Sequence, residues 1–282
     1  MRCLVTGSRG LLGSELVRFL SNHGDEVVGW DLPDHDITAV EHTINGIHGV
    51  RPEIIYHLAA WTDVDGCERD KGRAAIVNYQ GAWAVALGAA EVGCRLLFIS
   101  TDYVFDGSRR RPYREKDPPN PLSIYGRTKL MGEQAVLKTC RHSYVVRTSW
   151  LYGHNGRNFV GRIVETARRQ RQIRVVNDQV GSPTWARDIC APLRLIGSSG
   201  KYGIYHVTNS GWCTWFDLAA ETVRLAGLDC EIVPVASAEL GLPAQRPAYS
   251  VLDNRNYRRL SGETLRTWQE ALRVFLTVPD AT

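Results

Sequence analysis

Tyr125 and Lys129 stand four residues apart in Tyr125-Gly126-Arg127-Thr128-Lys129. On a helix opening at Tyr125, both side chains would share one face, one turn apart. An ammonium held beside a phenol favours the phenolate and lowers a pKa whose reference is about 10. A phenol tuned in this way serves as acid or base for a carbonyl or an alcohol near neutral pH. An isolated pair of this kind is usually a surface tyrosine and a solvated lysine. Here the pair follows Ser100-Thr101-Asp102-Tyr103-Val104-Phe105-Asp106-Gly107, which itself trails the apolar run Leu96-Leu97-Phe98-Ile99.

Chemistry of that kind needs a partner, and the start of the chain is built to hold one. Cys3-Leu4-Val5 is a short apolar run leading into Thr6-Gly7-Ser8-Arg9-Gly10-Leu11-Leu12-Gly13. Glycines at 7, 10 and 13 allow a tight turn and close approach of backbone to a pyrophosphate, and the third lets the next helix pack closely. The spacing differs from G-x-G-x-x-G, but its place between a strand and a helix is that of a dinucleotide cradle. The helix is predicted from about Leu11 to Asn22, with Leu12, Leu16, Phe19 and Leu20 facing a sheet and Gly24 ending it. Its N-terminal amides and dipole would hold the phosphates.

The rest of the chain alternates strands and helices. Glu26–Trp30 and Ile54–Leu58 read as strands, about Ala74 to Val92 as an alanine-rich helix, then Leu96–Ser100 and Tyr144–Arg147 as strands. Pro112, Pro118, Pro119 and Pro121 make the intervening loop irregular. This repetition predicts an α/β fold, a doubly wound parallel sheet of Rossmann type with a smaller C-terminal substrate lobe. The expected division is 1–148 for the dinucleotide and 149–282 for the substrate. Ile173–Val176 and Ile204–Val207 are expected to return to the sheet.

Composition agrees with a soluble enzyme. The 282 residues are 44% hydrophobic and 23% charged, with a net charge of +4. No apolar run reaches the roughly 18 residues of a membrane span, and a chain that opens on a strand is not expected to carry a secretory signal. Seven scattered cysteines without C-x-x-C suit reduced thiols in a cytoplasm. The eight histidines show no ligand spacing, and no catalytic metal is expected. Basic clusters at Arg109–Arg111 and at Arg168, Arg169, Arg171 and Arg174 lack the stacking aromatics or module of a nucleic-acid site. They read as a mobile loop and a solvated helix end, the second placed to raise anion concentration near substrate phosphates.

The glycine pattern, the Tyr125/Lys129 pair and Thr101 resemble the extended short-chain dehydrogenases/reductases, and within them the dTDP-4-dehydrorhamnose reductases. The resemblance runs through nearly the whole chain: residues 58–65, Ser100–Gly107, Pro121–Glu133, Arg147–Tyr152, Asn158-Phe159, Asn177–Thr184 and Arg246-Pro247. It implies hydride transfer to the C4 carbonyl of a dTDP-4-keto-6-deoxyhexose. Tyr125 would protonate the forming alkoxide, Lys129 would tune it and hold the nicotinamide ribose, and Thr101 would hydrogen-bond the same oxygen. Asp102 would orient sugar hydroxyls, and Trp150, Asn158 and Arg246 would contact the sugar nucleotide. Gly10, Leu11, Leu12, Asp31, Asp36, Ile37, Ala60, Trp61 and Thr62 would line the dinucleotide. A guanidinium at Arg246 suits a diphosphate in its own right.

Cofactor choice stays open. Asp31 closes the second strand near the spacing for a carboxylate on the ribose 2′-OH, which favours NADH. Arg9, inside the glycine loop, could clamp a 2′-phosphate and admit NADPH. Both cofactors, NADPH and NADH, are expected to be usable. Some members of the resembled family bridge dimers through magnesium at two glutamates; Glu15 matches the first, but Arg187 stands at the second. A monomer or a different homodimer is expected. Tyr103 occupies the place of a dehydratase glutamate, which disfavours dehydration. A sugar-nucleotide 4-epimerase, another deoxysugar ketoreductase, and a non-catalytic regulatory subunit of methionine adenosyltransferase remain as alternatives.

Overall fold

Side-chain alternation along each strand decides which helix lies on which face of the sheet. In the computed structural model, which describes residues 1–278, the chain runs through β1 (Arg2–Thr6), α1 (Leu11–Asn22), β2 (Glu26–Trp30), α2 (Val40–Val50), β3 (Ile54–His57), α3 (Val64–Arg69), α4 (Lys71–Ala75), α5 (Ala82–Val92), β4 (Arg95–Thr101), α6 (Ile124–Thr139) and β5 (Ser143–Thr148). Beyond these come β6 (Leu151–Tyr152), α7 (Phe159–Ala167), β7 (Gln172–Val176), β8 (Val180–Gly181), β9 (Thr184–Trp185), α8 (Ala186–Ser198), β10 (Gly203–His206), β11 (Cys213–Thr214), α9 (Trp215–Leu225), β12 (Glu231–Val235), α10 (Arg255–Ser261) and α11 (Trp268–Thr277).

Six parallel strands in the order β10-β5-β4-β3-β1-β2 form the main sheet. Cys3, Val5, Ile54, Tyr56, Leu97 and Val146 point to one face, where Leu12, Leu16 and Leu20 of α1 and Ile189, Leu193 and Ile196 of α8 meet them. Leu4, Ile55, Leu96, Phe98 and Val145 point to the other, under Ile47 of α2, Val85 and Ala86 of α5, and Val136 of α6. Helices on both faces leave the strands no solvated side, which is why they read as apolar runs. Strand order reverses between β1 and β3, and the crevice beyond their C-terminal ends is where such sheets bind ligands.

One expectation is corrected. Ile204–Val207 joins the sheet as β10 beside β5, but Ile173–Val176 does not; as β7 it pairs in parallel with β12 in a separate two-stranded sheet. The alanine-rich helix runs to Val92 as expected, with its early part widened into a π-turn over Ile76–Gly81 before α5, a distortion often found at functional sites. There Asn78 Oδ1 accepts from the Trp61 N–H at 2.8 Å, and its amide donates to Trp61 O at 3.1 Å and Thr128 Oγ1 at 3.3 Å.

A buried ion pair ties α6 to β5: Arg147 donates to both oxygens of Glu133 at 2.8 and 2.6 Å, with its guanidinium 5.1 Å over the Phe105 ring. The polypeptide from Ala244 to Asp253 then spans the molecule. Val180 exchanges backbone hydrogen bonds with Ala248 and Ser250, both 2.8 Å, and Tyr113 with Val251 and Asp253 at 2.8 and 2.7 Å. No helix among the described residues is long and apolar enough to cross a membrane.

Candidate functional site

One cleft of about 2080 Å³ opens along the C-terminal ends of the strands and extends over the lobe built from α7, β7 and α9. Its cradle end is the loop from Gly7 to Gly13. Gly7 has φ +69°, and a Cβ there would lie 2.8 Å from Ala59 N; one on Gly13 would lie 1.9 Å from Gly7 O. Only glycines allow the loop to sit this close to the strand ends. Gly10 caps α1 without a side-chain hydrogen bond, and no acidic residue stands in the first turn. The N-terminal amides of a twelve-residue helix therefore face the cleft without a competing carboxylate, which fits a pyrophosphate.

Along that end lie Leu11, Leu12, Asp31, Asp36, Ile37, Ala60 and Thr62. Asp31 accepts the backbone N–H groups of Arg9 and Leu32 at 2.7 and 2.8 Å. The Arg9 guanidinium turns instead to Asp34 and to Leu32 O. Trp61 has its backbone fixed by Asn78, and its ring lies 4.6 Å from the Arg73 guanidinium.

Ser123 caps α6 by accepting from Gly126 N at 3.1 Å, which starts the helix one residue before Tyr125. A Cβ at Gly126 would stand 2.2 Å from Tyr103 O, so this turn can seat directly on the Thr101–Tyr103 segment. That contact brings Tyr125, Thr101 and Lys129 into one wall of the cleft. The Thr101 hydroxyl donates to Asp102 Oδ1 at 3.1 Å, on the same wall of the cleft as the Tyr125 phenol. Lys129 Nζ donates to Ile99 O at 2.7 Å and lies 4.1 Å over the Phe98 ring, leaving two of its three hydrogens for other partners.

The electrostatics differ from the expectation of a lowered phenol pKa. Burial pushes Tyr125 above its ordinary value, opposed by the Thr101 hydrogen bond. Burial also pushes the Lys129 amine down to about 7, against the pull of Glu133. Desolvation outweighs charge coupling because both groups sit at the bottom of the cleft. Asp102 is likewise pushed up by burial, to about 7, against hydrogen bonds from Ser250 and Thr101. Beside these groups, the hydroxyls of Ser100 and Thr148 are buried without a partner where both residues line the cleft, a polar floor suited to a bound ring carrying an amide.

At the lobe end Trp150 takes φ +47° and stacks on Trp215, ring centroids 3.5 Å apart and planes 7° from parallel. Gly181 makes room beneath, since a Cβ there would come within 2.4 Å of the indole. Gln179 orients this shelf by accepting from Trp215 Nε1 at 3.2 Å.

The other two substrate-side residues are already engaged. Asn158 caps α7, accepting from Gly161 N at 2.9 Å and donating to Gly153 O at 2.7 Å, which ties its amide to the loop before the helix. Arg246 is bidentate on Asp65 at 2.8 and 3.2 Å. Burial works to raise the Asp65 pKa, and the Arg246 hydrogen bonds hold it low. Arg246 thus shows the cleft a neutralised pair rather than a bare cation. Arg174 also lines the cleft, paired with Glu239 at 2.6 Å. Trp215, Ser250, Asn78 and Asp65 as the Arg246 partner escape the sequence reading. Only their contacts mark them, although Trp215 directly follows the cap Thr214 of α9.

Comparison with known proteins follows this geometry. The family model described as the RmlD substrate binding domain matches residues 1–279. The chain is 41% identical to the spore coat polysaccharide biosynthesis protein SpsK of Bacillus subtilis, over 98% of this chain and 96% of that protein. It is 42% identical to a dTDP-4-dehydrorhamnose reductase of Streptomyces griseus, over 96% and 91% respectively. The solved structure of a dTDP-4-dehydrorhamnose reductase from Bacillus anthracis in complex with NADP superimposes with a TM-score of 0.94 at 38% identity, covering 97% of this chain and 98% of that one.

Proposed function

The chain belongs to the RmlD substrate binding domain family, and on that premise we propose that it is an NAD(P)H-dependent ketoreductase. It reduces the C4 keto group of a dTDP-4-keto-6-deoxyhexose, converting dTDP-4-dehydrorhamnose to dTDP-L-rhamnose. The observation that carries this reading is the union, in one cleft, of the Gly7–Gly13 cradle with Thr101, Tyr125 and Lys129. A regulatory nucleotide-binding subunit needs the cradle but not the phenol–hydroxyl–amine group beside it.

Bound in the cradle, a reduced nicotinamide supplies the hydride. The chain's own residues do the rest. Tyr125 donates its phenolic proton to the oxygen that becomes the C4 hydroxyl, and Thr101 hydrogen-bonds that oxygen. Lys129 directs its remaining N–H groups to ribose hydroxyls and balances the phenolate. The stacked indoles of Trp150 and Trp215 offer a flat apolar shelf to the sugar nucleotide, and Arg162 adds positive charge to the lobe wall. We assign the dinucleotide to residues 1–148 together with β10, and the sugar nucleotide to 149–282.

The test is NADPH and NADH oxidation by the full chain with dTDP-4-dehydrorhamnose, with the product identified. Oxidation that yields dTDP-L-rhamnose is expected; none with any dTDP-4-keto sugar overturns the reading. Two variants probe the two ends of the cleft. Asp31→Asn is expected to raise the NADPH-to-NADH ratio of kcat/KM about 10-fold, equivalent to about 1.4 kcal/mol, by removing a carboxylate that repels a 2′-phosphate. An unchanged ratio would leave Asp31 as a turn residue only. Trp215→Ala is expected to raise KM for the sugar nucleotide about 10-fold with kcat within about 3-fold, the mark of lost uniform binding. A fall in kcat alone would refute the shelf.

The protein is further proposed to work in a reducing cytoplasm, its cysteines being unpaired among the described residues, as a monomer or homodimer. A metal bridge at Glu15 is disfavoured because Arg187 already donates to both its carboxylate oxygens, at 3.1 and 3.2 Å.

A further inference from the structure

Thr148 ends β5 with a buried hydroxyl that the chain itself never uses. The residue is 4% exposed, and its Oγ1 is buried without a hydrogen-bond partner. A hydroxyl left unpaired away from water costs stability, so such an atom marks the place of a missing partner. Thr148 lines the cleft, and strand register sets it directly beside Thr101, one strand spacing of about 4.8 Å away. Alternation puts both on one face of the sheet. Ile99 and Val146, two residues before each, share a core with Leu12 and Leu16 of α1. That helix begins at Gly10 of the cradle, so a dinucleotide laid along this face leads from the cradle toward Thr148. The orphaned Ser100 hydroxyl instead follows Phe98 onto the opposite face, the one that meets Lys129. Both chain neighbours of Thr148 are engaged: Arg147 holds Glu133, and the Ser149 hydroxyl donates to Ser182 O at 2.7 Å.

We propose, resting on the NAD(P)H reading of the cleft, that Thr148 anchors the nicotinamide by holding its carboxamide through this hydroxyl. The carboxamide is carried on the ring carbon next to the one that gives the hydride. Thr101 binds the oxygen of the carbonyl being reduced, so the hydride carbon must approach beside Thr101. The hydroxyl one strand over, on the same face, is then within reach of the adjoining amide. A carboxamide tethered there keeps the ring from turning over about its glycosidic bond, and the same ring face meets the carbonyl in every cycle.

Thr148→Val keeps the branched shape and removes only the hydroxyl. In the cofactor-free chain it should raise Tm by about 2–4 °C, because it deletes an unsatisfied buried group. Binding should move the other way. NADH affinity, read by fluorescence titration, is expected to fall about 5- to 10-fold, the worth of one lost hydrogen bond. ADP-ribose, which makes the same cradle contacts but has no nicotinamide, should bind within about 2-fold of wild type. Thr148→Ser, which restores a hydroxyl, should bring NADH affinity back to within about 3-fold. A lower Tm in Thr148→Val, unchanged NADH affinity, or equal weakening of NADH and ADP-ribose overturns the anchor. A wild type that binds NADH but oxidises none with a dTDP-4-keto sugar overturns the ketoreductase reading alone, since the binding split at Thr148 is still measured. A wild type that binds neither NADH nor ADP-ribose overturns both.

Discussion

Tyr125→Phe is expected to lower kcat by about 10²–10⁴-fold, the span of a lost general acid, while NADPH affinity stays within about 3-fold of wild type. The ring that packs edge-on to Tyr103 at 6.0 Å remains; only the phenolic oxygen disappears. Because burial raises the phenol pKa, the proton is present on the empty enzyme across the neutral range, and its delivery is what the variant removes. Steady-state NADPH oxidation and a fluorescence titration of the cofactor separate the two quantities. Full activity in the variant would abandon the proton-donor assignment.

Lys129→Met should move activity and stability in opposite directions. Activity falls by about 10²-fold as the support for the phenolate is lost. The cofactor-free fold becomes more stable. Folded Lys129 is pushed down to about 7 from 10.5, so the unfolded chain binds more protons between those two values, and wild-type stability rises with pH across that window. Below about pH 7 the amine is charged in both states and the cost of burying it is fully present. Removing it should raise Tm at pH 6 by about 3–6 °C, corresponding to about 1–2 kcal/mol in a chain of this size, with the gain shrinking toward pH 9. A variant less stable than wild type at pH 6, or a gain independent of pH, would sink this assignment. Sites that hold a charge out of water commonly trade stability for function in this manner.

The backbone scaffold was readable because its signals are local. The apolar positions of Leu12, Leu16 and Leu20, and the i,i+4 spacing of Tyr125 and Lys129, depend only on helix periodicity. The strands of the sheet announce themselves as continuous apolar runs because both faces are covered. Strand pairing is a different matter. Ile173–Val176 is a strand as expected, but its partner β12 begins 59 residues after its own first residue, at Glu231 against Gln172, and period-two patterning does not name a partner. Side-chain commitments were equally hidden. Asn158 and Arg246 have the right chemistry for a ligand, yet a helix cap and the Asp65 carboxylate claim them. Ser250 and Trp215 carry no spacing signal, since their roles exist only once distant segments meet. The phenol pKa went the other way because depth, invisible in a string of residues, outweighed the neighbouring charge.

The crossing stretch from Ala244 to Asp253 carries a mechanical corollary. Val180 on the lobe and Tyr113 on the sheet half are stitched to the same few peptides, so the two walls cannot draw apart there without tearing main-chain bonds. The two halves are therefore tied to one another through a shared segment of main chain. Any opening between the Tyr125 wall and the indole shelf would have to begin by giving up those ties, which makes the spacing between the two a built-in feature of the fold rather than something a guest has to induce.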